Sequence, residues 1–193
     1  MTMLDVNTDT FPREVARILS NREKTRVPAD GRMPAAVLIL LMEKEGRFHI
    51  IFNVRTHKVE HHKGEISFPG GMREDRDPDL CTTALRETWE EMGIREEDVT
   101  ILGELDDYGT HSGFVISPFV GVFPYPYDYN PSEIEVAEVL EAPVDHLLAP
   151  DNHTTVRVEH DDGVYQDRAY TFQGHLIWGA TARMLTQFLT LIS

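Results

Sequence analysis

Three things are scarce in this sequence: cysteine, positive charge and long hydrophobic runs. The single cysteine, Cys81, can form no internal disulfide and no cysteine-based metal site, which favours a reducing compartment, the cytoplasm. Lysine and arginine total 18 against 33 acidic residues, and the net charge of −15 argues against nonspecific binding to nucleic acid or anionic membranes. No segment approaches the roughly 18 apolar residues that a membrane-spanning helix needs. We therefore expect no nucleic-acid partner, no membrane partner and no targeting segment.

What is present is the composition of a globular protein. Of the 193 residues, 41% are hydrophobic and 26% are charged, which suits one domain with its own core. Spaced apolar residues predict an amphipathic helix over residues 11–22, followed by a linker. We therefore divide the chain into an N-terminal helix and linker, residues 1–33, and the main part of a single domain, residues 34–193.

Strands outnumber helices in the predicted secondary structure. Residues 80–92 contain neither Gly nor Pro, begin after the capping residue Asp79 and end at Gly93, which predicts a helix. Tight turns between several of the strands indicate an α+β fold, with a mixed sheet and helices packed on its faces. Further helices are predicted at 142–149 and 178–192, and strands at 35–42 and 48–55 (a hairpin), 99–105, 114–123, 134–142, 154–160 and 164–172.

The predicted helix at 80–92 carries a cluster of carboxylates. Glu87 lies three and four residues before Glu90 and Glu91, so the three side chains crowd one surface. Like charges at these spacings destabilise an isolated helix by roughly 0.2–0.5 kcal/mol per pair. One interpretation is a solvated acidic face, in which Arg86 offsets part of the repulsion through Glu90. The other is a site for a divalent cation such as Mg²⁺, which binds carboxylates, water and substrate phosphates.

The loop before this helix favours the second interpretation. Pro69 fixes its own backbone, whereas Gly70 and Gly71 allow a turn whose amides and carbonyls can approach a ligand closely. The stretch REDRDPD, residues 73–79, adds further acidic side chains. A strand, a glycine turn, an acidic loop and an acidic helix together predict a site for metal and phosphate.

The loop and the helix resemble the signature of the Nudix hydrolases. That signature is Gly, five residues, Glu, seven residues, and then Arg-Glu-apolar-any-Glu-Glu-any-Gly-apolar. Asp77 stands where the signature has its first Glu, and eight residues rather than seven separate Asp77 from Arg86. The matching residues are Gly71, Arg86, Glu87, Glu90, Glu91, Gly93 and Ile94, with Thr88 in the first apolar slot.

The preceding segment is similar to the coenzyme A pyrophosphatase branch of this family. That branch carries Arg-Ser, three residues, Arg, three residues, Gly, three residues and Phe-Pro-Gly-Gly. Thr56 replaces the serine, and Glu60 stands at the second arginine, with His61, His62 and Lys63 after it. Because the stretch LIWGATARML also resembles the branch, the likeness extends from about residue 35 to the end. The matching residues are Arg55, Gly64, Phe68, Pro69, Gly70 and Gly71.

The resemblance implies a Nudix fold, in which a mixed sheet is sandwiched between helices and a loop-helix-loop holds Mg²⁺ or Mn²⁺. It implies hydrolysis of coenzyme A or a derivative at the pyrophosphate, giving 3′,5′-ADP and 4′-phosphopantetheine. Two alternatives stay open: a Nudix hydrolase of another nucleoside diphosphate derivative, such as ADP-ribose or a dinucleotide, and a non-catalytic Nudix module that binds a nucleotide. The expected partner is the small-molecule substrate, and a homodimer is left open.

The resemblance also implies which residues bind metal. Pyrophosphate hydrolysis requires in-line attack of water on phosphorus and neutralisation of the charge that builds on the phosphoryl oxygens, and metal ions serve both needs. Glu87, Glu90 and Glu91 are expected to be the metal ligands. The carbonyl of Gly70 or Gly71 is expected to be a further ligand.

Other residues are expected to orient the cluster, move a proton or contact the substrate. Arg86 would orient the carboxylates, and the general base would be Glu87 or a carboxylate outside the signature, for which Glu135 is the candidate. The alternative interpretation of Glu135 is an exposed charge on an alternating strand. Arg55 is expected to contact a substrate phosphate through its planar five-donor side chain, with Lys63 as a weaker candidate. The alternative interpretation of Arg55 is a surface salt bridge.

Overall fold

The computed structural model describes residues 4–6, 8–56, 64–160 and 163–193. Within these ranges it contains a large mixed sheet, a small antiparallel sheet and four α-helices. The helices are α1 (Phe11–Ser20), α2 (Leu80–Met92), α3 (Val144–Leu148) and α4 (Gly179–Ile192). The strands are β1 (Met33–Lys44), β2 (Arg47–Arg55), β3 (Ile66–Ser67), β4 (Gly70–Met72), β5 (Thr100–Glu104), β6 (Tyr108–Gly109), β7 (Phe114–Val122), β8 (Val136–Pro143), β9 (His153–His160), β10 (Gly163–Phe172) and β11 (His175–Ile177).

The large sheet is organised around β1. This strand pairs in parallel with β7 and antiparallel with β2 and β4, which confirms the predicted hairpin and the mixed sheet. Strand β8 lies beside β2, and β5 and β6 pair with β7. The hairpin of β9 and β10 does not join this sheet, because it forms a separate three-stranded antiparallel sheet with β11. The alternating pattern of these strands predicts a hairpin but not a second sheet.

The large sheet is covered on both faces, and the alternating side chains of β1 show how. Leu38 and Leu40 are fully buried in an apolar cluster that includes Leu85 of α2. Ile39, between them in the sequence, is fully buried in a second cluster that includes Phe188 of α4. Successive residues of a strand point to opposite faces, so the sheet is sandwiched between helices as predicted.

Helix α1 belongs to the second of these clusters. Its residues Phe11, Val15 and Leu19 are buried there, at the spacing of one helix face. A Cβ atom on Gly103 of β5 would lie 2.6 Å from the Cβ of Leu19, so the glycine allows helix and strand to approach closely. None of the helices in the described ranges is both long and apolar enough to cross a membrane.

Candidate active site

Helix α2 begins and ends where the sequence predicts. The Asp79 side chain accepts a hydrogen bond of 2.8 Å from the Thr82 amide at the N-terminus. At the C-terminus, Gly93 takes a left-handed conformation with φ of 71°, which closes the last turn. A Cβ there would lie 2.8 Å from the Cβ of Asn130, so space as well as conformation favours glycine. The helix therefore spans Leu80–Met92, with Glu87, Glu90 and Glu91 in its second half.

The glycine turn fits closely between β1 and α2. A Cβ on Gly70, whose φ is 152°, would lie 2.3 Å from the carbonyl oxygen of Ala36. A Cβ on Gly71 would lie 2.5 Å from the carboxyl carbon of Glu87. Real Cβ atoms do not approach other atoms this closely, so Gly70 must be glycine because it faces backbone, whereas a Cβ at Gly71 would force the Glu87 carboxylate to move. The turn thereby brings its backbone against the carboxylates of α2.

Glu91 is the most buried carboxylate of the cluster, with 4% of its surface exposed. Its Oε2 atom accepts hydrogen bonds from Asn53 Nδ2 at 2.8 Å and from the Gly70 amide at 3.1 Å. Burial raises the pKa of Glu91 to about 8, and the negative charges of Glu135 and Glu87 act in the same direction. The Gly70 amide and Arg55, whose Nη1 lies 3.8 Å from Oε1, oppose that rise in pKa only in part.

Arg86 connects four carboxylate oxygens of the site. Its Nε and Nη2 donate to the two oxygens of Asp77, each at 3.0 Å, and its Nη1 donates to Glu87 at 2.9 Å and to Glu90 at 2.8 Å. Asp77 is 2% exposed, and the hydrogen bonds from Arg86 hold its pKa well below the usual range. Thr83 Oγ1 donates to the same carboxylate at 2.9 Å. Asp77 therefore anchors Arg86, which in turn orients Glu87 and Glu90.

Glu87 and Glu90 differ in environment. Burial raises the pKa of Glu87, and the charge of Arg86 lowers it in part. Glu90 is exposed and also accepts a hydrogen bond of 2.9 Å from Arg76. Among the described residues, no three acidic, histidine or cysteine side chains already converge on a single metal-sized point. The donors themselves are carboxylate oxygens, which suit Mg²⁺ or Mn²⁺, and a cation would compensate the charges of the half-buried Glu87 and the buried Glu91.

Arg55 and Glu135 lie beside Glu91 from outside the helix. Arg55 is the last residue of β2, its side chain is 25% exposed, and no acceptor in the described chain reaches its Nε. Glu135 lies in the turn before β8 and not on the strand, and its carbonyl accepts a hydrogen bond of 2.9 Å from the Thr56 amide. Its negative charge contributes to the raised pKa of both Glu87 and Glu91, so Glu135 acts on the cluster electrostatically.

Four of the sequence candidates cannot be placed. Glu60, His61, His62 and Lys63 lie outside the described residues. Their roles therefore stay predictions.

A cavity of about 480 Å³ adjoins the cluster. Arg55, Gly70 and Gly71 form part of its lining, and apolar side chains such as Trp178 and Met184 form another part. Trp178, which precedes α4, is 37% exposed, so it is not the core residue that aromatic side chains near a terminal helix usually are. The cavity therefore combines a polar part, at Arg55 and the glycine turn, with an apolar wall.

The comparisons with known proteins agree with this geometry. The profile of the NUDIX domain matches residues 32–162. The chain belongs to the Nudix hydrolase family. It is 32% identical over 186 residues to the Nudix hydrolase NudL of Enterobacter sp., described as uncharacterized, which covers 95% of this chain and 93% of that protein. It is 35% identical over 135 residues to the peroxisomal coenzyme A diphosphatase NUDT7 of Mus musculus, which covers 70% of this chain and 57% of that protein.

The solved structures support the Nudix fold. RenU, a Nudix hydrolase from M. smegmatis, aligns with a TM-score of 0.51 and 20% identity over 61% of this chain and 74% of that one. This likeness concerns the fold alone. The predicted family, fold class and enzyme class are thus confirmed: the chain is a Nudix hydrolase, in a family whose members act on pyrophosphate bonds and generally need divalent metal ions.

Two residues of this Nudix site escaped the sequence analysis. Asn53 lies in the apolar segment FHIIFNVR, where a buried amide is unusual and could have signalled a special role. Asp77 was noted only as a departure from the signature. Its contact with Arg86 depends on how the loop folds back on α2, which the sequence does not show.

Proposed function

We propose that this Nudix hydrolase cleaves the pyrophosphate bond of coenzyme A or a derivative, releasing 3′,5′-ADP and 4′-phosphopantetheine or its acyl form. The observation that carries the proposal is the cavity of about 480 Å³, lined by Arg55 and the glycine turn as well as by apolar side chains. Coenzyme A has a charged nucleotide half and a long uncharged pantetheine arm, and such a cavity offers both environments. The similarity to the mouse coenzyme A diphosphatase and the Phe-Pro-Gly-Gly segment after Arg55 support the same substrate.

The residues that would hold Mg²⁺ or Mn²⁺ are Glu87, Glu90 and Glu91, with the carbonyl of Gly70 as a further ligand. A divalent ion at these oxygens supplies neutralisation of phosphoryl charge and a lowered pKa for the attacking water. Glu91 is supported by its burial, since a carboxylate with a raised pKa gains most from a neighbouring cation. Glu90 now pairs with arginines, so it would exchange an arginine contact for the ion.

Side chains of the protein orient the carboxylates, contact the substrate and accept the proton. Arg86, held by Asp77, keeps the Glu87 carboxylate beside the glycine turn. Arg55, whose Nε meets no acceptor among residues 8–56 and 64–160, donates to a substrate phosphate oxygen. The carboxylate of Glu87 or of Glu135 takes the proton from the attacking water, because both lie in the cluster.

Mass analysis of reaction products tests the substrate. The enzyme is incubated with Mg²⁺ or Mn²⁺ and, in separate reactions, with coenzyme A, an acyl-coenzyme A, ADP-ribose and a dinucleotide. We expect 3′,5′-ADP from the coenzyme A compounds, and none with Glu91→Gln. Cleavage of ADP-ribose or the dinucleotide, with coenzyme A left intact, would show that the substrate is another nucleoside diphosphate derivative. No cleavage of any compound would support a nucleotide-binding module.

A further inference from the structure

Asn53 is buried next to the carboxylate cluster, yet it lies on β2 and outside the Nudix signature. Its surface is 1% exposed, and its Nδ2 donates a hydrogen bond of 2.8 Å to Glu91 Oε2. Its Oδ1 finds no hydrogen-bonding partner in the described chain. Only the NH₂ end of an amide can donate to a carboxylate, so the contact with Glu91 determines how the amide is turned.

A buried amide with one unsatisfied end costs stability, and a leucine of similar size at this position would avoid that cost. Ile51, two residues earlier on β2 and therefore on the same face of the sheet as Asn53, is fully buried in the apolar cluster that includes Leu85. The position therefore tolerates an apolar environment but carries a polar group. Among the described residues, the one hydrogen bond that distinguishes the amide side chain from leucine is the bond to Glu91.

That hydrogen bond makes the two carboxylate oxygens of Glu91 different from each other. Oε2 accepts from both Asn53 and the Gly70 amide, so its lone pairs are engaged by two N–H groups. Oε1 receives no hydrogen bond from the described residues; the nearest cationic atom, Arg55 Nη1, is 3.8 Å away. The two oxygens of one carboxylate are thus unequal, and Oε1 is the one left to bind a cation.

We propose that Asn53 is a positioning residue for the divalent ion: it holds Oε2 of Glu91 and thereby presents Oε1 as the metal ligand. The proposal rests on the metal requirement of the Nudix family and not on coenzyme A as substrate. Partners that orient a metal ligand through a hydrogen bond affect metal affinity by about 10-fold to 100-fold when they are removed.

Calorimetric titration of the full chain with Mn²⁺, without substrate, tests this role. Asn53→Leu removes both polar ends at similar size, and Asn53→Ser is smaller and polar and does not reach Glu91. We expect both variants to raise the Kd for Mn²⁺ by about 10-fold or more. Ser117→Ala is the matched control, because it removes the hydrogen bond of another buried side chain, the 2.6 Å contact to Asp107, and involves none of the proposed metal ligands. The control should bind Mn²⁺ as the wild type does.

Steady-state kinetics give a second measurement. With a coenzyme A substrate, the Mn²⁺ concentration for half-maximal activity should rise with the Kd in the Asn53 variants, whereas KM at saturating Mn²⁺ should change by less than about twofold. The proposal is overturned if folded Asn53→Ser binds Mn²⁺ within twofold of the wild type, or if Ser117→Ala weakens binding equally. Should Asn53→Leu not fold, Asn53→Ser decides. Failure of the wild type to cleave coenzyme A would refute the proposed substrate and leave the Mn²⁺ titration a valid test.

Discussion

The burial of Glu91 predicts that Glu91→Gln stabilises the metal-free protein at alkaline pH although it removes activity. The ordinary pKa of the group is 4.5, and burial raises it to about 8 in the folded state. Below pH 4.5 both folded and unfolded chains carry the proton, and the shift in pKa has no effect on stability. Between the two values the folded chain retains a proton that the unfolded chain releases, so the free energy of unfolding falls as pH rises. Glutamine does not titrate and avoids this loss.

The size of the effect follows from the pKa difference. Each pKa unit corresponds to about 1.36 kcal/mol, so the shifted pKa lowers the free energy of unfolding by roughly 3 kcal/mol at pH 7 and by roughly 5 kcal/mol above pH 8, relative to its value below pH 4.5. For a protein of this length, 1 kcal/mol shifts the melting temperature by about 2–4 °C. The glutamine retains an oxygen that accepts from Asn53 and the Gly70 amide, so those hydrogen bonds are kept. The melting temperature of Glu91→Gln should exceed that of the wild type by roughly 10 °C or more at pH 9.

Thermal unfolding in the presence of a chelator, at pH 5, 7 and 9, measures this difference. It should be small at pH 5 and grow with pH. Saturating Mn²⁺ should then stabilise the wild type more than Glu91→Gln; a ligand at 100 times its Kd contributes about 2.7 kcal/mol. A difference in melting temperature that is the same at all three pH values would refute the assignment of a buried, uncompensated charge to Glu91.

Three other substitutions test the rest of the site. Asp77→Asn leaves Arg86 without its bidentate partner. Removal of one partner from a buried ion pair costs about 3–5 kcal/mol, but two glutamates remain beside Arg86, so we expect the free energy of unfolding in urea to fall by about 2 kcal/mol. An unchanged urea midpoint would contradict the anchoring role of Asp77. Gly71→Ala places a Cβ 2.5 Å from the Glu87 carboxyl carbon and so displaces that carboxylate. We expect kcat to fall by at least about 10-fold while the circular dichroism spectrum stays unchanged. Full activity would show that Glu87 can move without loss of function. Arg55→Lys keeps the positive charge but loses the planar guanidinium that can donate two parallel hydrogen bonds to a phosphate. We expect KM for coenzyme A to rise by about 10-fold, which corresponds to roughly 1.4 kcal/mol of binding free energy, with a smaller change in kcat. An unaffected KM would favour a structural salt bridge.

The boundaries of α2 could be predicted from the sequence because their causes are local. Asp79 caps the helix through an amide three residues away, and Gly93 supplies a backbone conformation that other residues adopt at a cost. The acidic face and the glycine turn could be found for the same reason, since helical spacing and glycine geometry are properties of short segments.

What the sequence did not reveal depends on contacts between distant segments. Parallel pairing of β1 with β7 joins residues that are far apart in the chain, and alternation of apolar residues does not specify a partner strand. The separate sheet of β9, β10 and β11 was missed for the same reason. Asn53 meets Glu91 across 38 positions of sequence, a contact that only the folded sheet and helix create.

The anchoring of Arg86 by Asp77 affects how members of the Nudix family can be found by their sequence signature. An aspartate is one methylene shorter than the glutamate of the signature, and the loop here is one residue longer, yet both oxygens reach the guanidinium at 3.0 Å. Loop length and side-chain length can therefore compensate for each other. A search that demands fixed spacing would reject this chain at that position, whereas one that asks which carboxylate can reach the arginine would accept it.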